Sequence, residues 1–195
     1  MKSVYILLIV LFSGVLSFGF VRLNGEGENE AVKWHTFQEA VELNKQEKKK
    51  IFIDVYTQWC GWCKVMDKNT FTNPVIAKYM NEKFYCVKLD AEMKDTVVFN
   101  NHVFVNPNPA VLRSTHQLAS SLLNNQMSYP TTVYLDEDFN LLSQVPGYRQ
   151  PAELEPILKF FGENAYKTLK WDEYSKTFVG EITAPPPPIT PPVPH

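Results

Sequence analysis

Trp59-Cys60-Gly61-Trp62-Cys63-Lys64 decides how this chain is read. Just upstream, Ile51-Phe52-Ile53-Asp54-Val55-Tyr56 is an apolar, β-branched run that predicts a buried strand over 51–57. Just downstream, Lys64 to Asn69 predicts a helix whose first turn opens at Cys60. Two cysteines separated by two residues, at a junction from strand to helix, predict a dithiol redox site. A thiol attacks only as its thiolate, and a helix N-terminus lowers its pKa with unpaired N–H groups and the positive end of the dipole. The short spacer lets the second sulfur reach the first, so the pair can close as a disulfide or open as a dithiol.

Other uses of the pair are weaker. Zinc needs about four ligands, usually a second closely spaced pair, and only Cys86 and four scattered histidines remain. No metal site is expected. The motif lacks the histidine of a haem attachment sequence. A structural disulfide stays open as an alternative. Asp54, inside so apolar a strand, costs several kcal/mol unless it is paired or held protonated, which favours a role in the chemistry. Strand alternation puts Cys86 on the same inward face as Lys88, where a free cysteine reads as a small buried hydrophobe. His35, His102 and His116 belong to no chemical motif. Trp59 and Trp62 form an apolar collar around the dithiol, as packing or as substrate surface.

Around this centre, 195 residues suffice for one domain with a sizeable core. The balance of 19 basic against 21 acidic side chains gives no reason to expect nucleic acid as a partner. Residues 1–23, with Lys2 ahead of an apolar stretch, read as a signal peptide or an N-terminal anchor, since the apolar character spans roughly 18 residues, the lower limit for crossing a bilayer. Residues 24–31 read as a polar linker, 32–180 as the folded domain and 181–195 as a proline-rich tail. Thr36-Phe37-Gln38-Glu39 has the form of a capping box and predicts a helix over 37–48. The lysines at 48–50 then belong to its solvated C-terminus. Asn73-Pro74 predicts an N-cap and a helix over about 74–82, and 84–89 a second buried strand. Ser114 to Gln117 looks like a second capping box, opening a helix to about Asn124 within an otherwise unreadable stretch, 91–128. Strands are predicted over 131–135 and 141–145, with Pro146-Gly147 ending the latter, and a helix from Pro151 to about Phe161. Leu169, Trp171, Tyr174 and Phe178 mark a last amphipathic segment. This order of elements predicts an α/β fold, a central mixed sheet with helices on both faces.

With Asp54 to Lys64, Thr70-Phe71-Thr72-Asn73-Pro74 and Tyr129-Pro130-Thr131 in hand, the chain resembles the thioredoxin superfamily. The likeness extends to extracytoplasmic bacterial members such as the C-terminal domain of the thiol:disulfide interchange protein DsbD, over roughly residues 32–162. The resemblance implies a thioredoxin fold with a cis-proline at Pro130, and the interval before it, longer than in minimal thioredoxins, reads as a helical insertion. It implies that Cys60 is the exposed nucleophile and Cys63 the resolving cysteine. Asp54 takes the place of a buried carboxylate that relays the proton of the resolving cysteine, and Lys88 that of the lysine approaching it. Tyr129, Pro130 and Gly147 fall where family members meet their substrate, and Trp59 and Trp62 of the collar are candidate substrate contacts beside them. No dissociable cofactor is implied. The implied activity is thiol–disulfide exchange outside the cytoplasm, most simply in the periplasm. Its partners would be disulfide-containing exported proteins and a membrane thiol donor such as a DsbD-like transporter. Gly61-Trp62 lacks both the proline of thioredoxin and the histidine of strongly oxidising members, so the expected reducing direction is not set by the motif. The long interval from Asp90 to Pro130 keeps a second reading open, that of a thioredoxin-fold binding or chaperone-like module with a structural dithiol.

Overall fold

A computed structural model describes residues 31–183. Residues 1–23, expected to be a signal peptide or anchor, nearly all of the expected 24–31 linker and the proline-rich stretch from 184 onward lie outside the described residues. The chain runs β1 (Trp34–His35), α1 (Phe37–Gln46), β2 (Lys50–Tyr56), α2 (Gly61–Asn69), α3 (Pro74–Lys83), β3 (Phe84–Asp90), β4 (Val97–Phe99) and β5 (His102–Phe104). It continues with α4 (Gln117–Leu122), β6 (Thr131–Leu135), β7 (Leu141–Pro146), α5 (Pro151–Gly162), a 3-10 turn at Ala165–Lys167 and α6 (Trp171–Thr177).

Period-two alternation in β2 sets the layers. Ile51, Ile53 and Val55 pack with Phe37, Ala40 and Val41 of α1 and Leu118 and Ala119 of α4. Phe52 packs on the opposite face with Met66 of α2, Ile76 and Met80 of α3, and Leu154 and Leu158 of α5. β2 is therefore apolar on both sides, because the sheet is covered on both sides. Each such buried side chain contributes about 1.5–3 kcal/mol, and Phe52→Ala would cost about 3–5 kcal/mol. The sheet order is β1-β3-β2-β6-β7. β2 pairs parallel with β3 and antiparallel with β6, so the sheet is mixed, and Asp54 lies opposite Lys88 on β3.

The local signals at the helix starts hold in detail. Thr36 and Glu39 form the reciprocal capping box of α1. Asn73 caps α3 with Pro74 at its first position. Elsewhere the structure corrects the reading. α1 stops at Gln46, and Lys50 is not a solvated helix end. It opens β2, only 4% of its side chain is exposed, and its ammonium pairs with Glu137 in the turn between β6 and β7. Ser114 does not cap α4. Its hydroxyl donates to Asn106 Oδ1, and His116 caps instead, with Nδ1 accepting the Leu118 N–H at 3.1 Å. The interval before Pro130 is not helical alone, because β4 and β5 form a hairpin in it ahead of α4. At the C-terminal end, Glu155 of α5 accepts the N–H groups of Glu181 and Ile182, so these two residues belong to the packed body and not to a free tail. Among the described residues, no helix is long and apolar enough to cross a membrane.

Candidate active site

β2 delivers the dithiol. After Tyr56 the chain turns, with the Cys60 N–H donating to Thr57 O at 3.1 Å, and Cys60 becomes the N-cap of α2. Cys60 Sγ accepts the Cys63 N–H at 3.0 Å, the bond that a serine or aspartate cap would make. The same N–H would steady a thiolate at Cys60. Cys60 and Cys63 are joined as a disulfide. Cys60 is 5% exposed and Cys63 1%, so Cys60 is the outer sulfur, yet in the oxidised chain it is nearly covered rather than exposed as the resemblance implied.

Each tryptophan of the motif leans on a tyrosine. The Trp59 ring meets Tyr129 edge-on at 5.9 Å, and Trp62 lies over Tyr148 at 5.3 Å. Both indoles keep a substantial face in solvent. The Tyr129–Pro130 bond is cis. Pro130 O accepts the Gly147 N–H at 2.8 Å, and Gly147 has φ of 90°, a conformation that favours glycine. Trp59, Trp62, Tyr129, Pro130 and Gly147 are thus linked through contacts that begin beside Cys60.

Asp54 of β2, Lys88 of β3 and Asp67 of α2 form a charged cluster that ties the sheet to the helix that Cys60 caps. Asp54 is 1% exposed; its Oδ2 accepts from Lys88 Nζ, and its Oδ1 is buried with no protein partner. Lys88 also donates to Asp67 on α2. Asp67 follows Cys63 by four residues, which puts the two on one helix face. The Lys88 ammonium sits 4.8 Å from the Tyr56 ring, 5.1 Å from Trp34 and 5.3 Å from Phe71. Side-chain exposure rises from 1% at Asp54 through 20% at Lys88 to 43% at Asp67, a graded path from the interior to water. Burial pushes the Asp54 carboxyl up to about 6, and Lys88 offsets that only in part. Burial also works against the Lys88 ammonium, but its two carboxylate partners outweigh it and hold its pKa above the ordinary lysine value.

The sequence reading did not name Asp67, Tyr148, Glu92 or Arg113. Asp67 carried a usable signal in its helical spacing from Cys63. Tyr148, against Trp62, and Glu92 and Arg113, against Trp59, are brought in by the tertiary fold. Cys86 is 1% exposed, and burial drives its thiol far above the ordinary range, so it is not a ready thiolate. Among the described residues, no group of three or more His, Cys, Asp or Glu side chains is arranged to hold a metal.

Comparison with known proteins follows the same lines. The family model Thioredox_DsbH, described as "Protein of unknown function, DUF255", matches residues 23–154. The chain is 39% identical over 67 residues to Spermatogenesis-associated protein 20 of Mus musculus, a match that covers 34% of this chain and 8% of that protein. An uncharacterized protein of Caenorhabditis elegans is 37% identical over 70 residues, covering 35% of this chain and 10% of its own length. The chain therefore spans about a tenth or less of these curated relatives. Among solved structures, a DsbH oxidoreductase superposes with a TM-score of 0.50 at 17% identity, covering 69% of this chain and 86% of that one. A thioredoxin from Thermus thermophilus gives 0.50 at 15% identity, covering 67% and 86%. At such identities these two structures speak for the fold. Family, fold and the Cys60–Cys63 pair together suggest thiol–disulfide oxidoreductase chemistry. By the match over residues 23–154, the chain belongs to the Thioredox_DsbH family of the thioredoxin superfamily.

Proposed function

We propose that this chain reduces disulfides of exported proteins outside the cytoplasm. The observation that carries the reading is a Cys60–Cys63 disulfide at the N-cap of α2, the helix whose Asp67 shares Lys88 with the buried, ionisable Asp54. In the reduced protein, Cys60 thiolate attacks one sulfur of a substrate disulfide. The Cys60–substrate bond forms, the substrate S–S bond breaks, and the leaving thiolate takes a proton from solvent. Cys63 then gives its proton to Asp54, and its thiolate attacks Cys60. The mixed disulfide breaks, the second substrate thiolate leaves, and two electrons have passed from the dithiol to the substrate. Asp54 then returns its proton to water, and the Lys88 ammonium, held between Asp54 and Asp67, steadies the ionised carboxylate.

Two features support the reducing direction. Gly61-Trp62 does not set the direction alone, but it brings no cationic side chain beside the Cys60 thiolate. Asp54 and Asp67 share one ammonium, so the cluster is net negative when both are ionised and opposes a second negative charge nearby. A less stable thiolate makes a stronger reductant. The oxidised pair then needs a dithiol donor, for which a DsbD-like membrane transporter is the fitting class. The apolar leader at 1–23 supports export.

Equilibration of the purified protein with glutathione and dithiothreitol buffers tests the direction. A potential near that of thioredoxin, about −270 mV, fits a reductase, and one near about −120 mV makes it an oxidant. Cys63→Ser should trap mixed disulfides, and Cys60→Ser should abolish exchange. A pair that forms no reversible couple would overturn the reading in favour of a binding module with a structural disulfide.

A further inference from the structure

The long interval before Pro130 builds a second wall beside the dithiol. Asn106 gathers the loop at its neck. Its Nδ2 donates to Ser114 O at 2.8 Å and to Met93 O at 3.3 Å, and its Oδ1 accepts from Ser114 Oγ at 2.6 Å and from Asn108 N at 3.1 Å. Residues 107–113 lie between these anchor points, and Val111 and Leu112 are 62% and 84% exposed.

Arg113 ends this loop in a left-handed backbone conformation, with φ of 63°. Seven non-glycine residues among those described have positive φ, and five are asparagines, which tolerate it. The other two are Phe139 and Arg113. Phe139 has a packing reason, since its ring meets Phe99 at 4.9 Å and Phe37 at 6.0 Å. Arg113 buries nothing comparable. Its guanidinium lies 4.8 Å from the Trp59 ring centroid and forms no ion pair among the described residues. The strained backbone thus serves to hold a guanidinium over the indole that precedes Cys60.

Trp59, Glu92, Arg113, Thr115, Met127 and Tyr129 line a hollow of about 400 Å³. Two of its walls continue directly into the redox site, because Trp59 precedes Cys60 and Tyr129 precedes Pro130. Glu92 is engaged by Trp59, whose Nε1 donates to it at 2.7 Å. The Arg113 guanidinium has no hydrogen-bond partner among the described residues. A guanidinium stacked on an aromatic face, with its planar fork unpaired, is a receptor for a carboxylate. Exposed Val111, Leu112 and Met127 nearby suit a polypeptide rather than a small thiol.

We propose that this hollow is a substrate subsite, in which Arg113 takes an acidic side chain close in sequence to the partner's reactive cysteine. The inference rests on the reading of Cys60 as the attacking thiol. The test uses short peptides with one cysteine, activated as the 2-thiopyridyl mixed disulfide, carrying Glu or Gln within three residues on either side. Attack by reduced protein forms the Cys60–peptide disulfide and releases pyridine-2-thione, which is followed by absorbance. In at least one position the Glu peptide should react about tenfold faster than its Gln twin, the worth of one charge-assisted hydrogen bond at an accessible site. That preference should shrink with added salt. Arg113→Gln should bring the Glu/Gln ratio close to one, and Arg113→Lys should keep part of it. A ratio that is the same in wild type and Arg113→Gln overturns the subsite alone. Absence of attack on any peptide overturns it together with the exchange reading.

Discussion

Asp54→Asn should make the oxidised protein more stable at neutral pH while slowing its chemistry. Burial lifts this carboxyl from its ordinary 3.8 to about 6, so the folded chain holds the proton more tightly than the unfolded one. A raised folded pKa gives a contribution that is fully present below 3.8 and is lost as pH rises through about 6. At about 1.36 kcal/mol per pKa unit, the ionised Asp54 opposes folding by about 3 kcal/mol at pH 7.5, taking its carboxyl at about 6. Asparagine never ionises, and Lys88 keeps Asp67 as a partner. The amide leaves buried polar atoms of its own unpaired, at a cost of about 1–2 kcal/mol at every pH. The net gain at pH 7.5 is then about 1–2 kcal/mol, turning into a loss of similar size at pH 4. The informative quantity is the swing of about 2.4 kcal/mol between the two proteins across that range, taking the folded carboxyl at about 6. Urea unfolding of both oxidised proteins from pH 4 to 8 reads it directly, provided the denaturant slopes agree. A difference that stays flat with pH, or runs the other way, refutes the assignment of Asp54 as a buried acid of raised pKa. In exchange assays the same variant should resolve mixed disulfides about a hundredfold more slowly, the usual loss on removing a positioned base.

Asn106→Ala should cost about 2 kcal/mol, because it leaves partly buried partners such as Ser114 O and Met93 O without their donor; hydrogen exchange should rise across 106–114 and stay unchanged in β2. Lys50→Met should alter stability by less than about 1 kcal/mol, whereas Glu137→Ala, which strands a buried ammonium, should cost about 3 kcal/mol; chemical unfolding of the two variants checks the asymmetry. In the folded, reduced protein an alkylating reagent should spare Cys86, and only denaturant should expose it, which mass spectrometry of the labelled chain would read.

What was legible in the sequence was local. Thr36 and Glu39, Asn73 and Pro74, and Cys60 at the start of α2 each act within one turn of helix, so spacing alone identifies them. Asp54 was legible because a carboxylate amid Ile51, Phe52, Ile53 and Val55 violates the pattern of its own strand. Ser114 misled because a distant side chain, Asn106, competes for it. The β4–β5 hairpin was missed although Asn100-Asn101 between Val97-Val98-Phe99 and His102-Val103-Phe104 is the chemistry of a two-residue turn, with both residues at positive φ. Lys50 was misread because its partner Glu137 lies across the sheet. Arg113 and Glu92 meet Trp59 only through long-range closure of a loop, and no spacing rule reaches that far.

Before it folds, the chain carries three cysteines, and nothing local keeps Cys86 from capturing Cys60 or Cys63. Loop-closure entropy favours the nearer pair, but only statistically. β3 makes the choice definite by lying between β1 and β2, which encloses Cys86 beneath Met80, whose carbonyl its thiol faces at 3.7 Å. Once that strand is seated, the third sulfur can neither ionise easily nor be reached. The sheet thus does for Cys86 what a protecting group does in synthesis, and oxidation after folding yields one product.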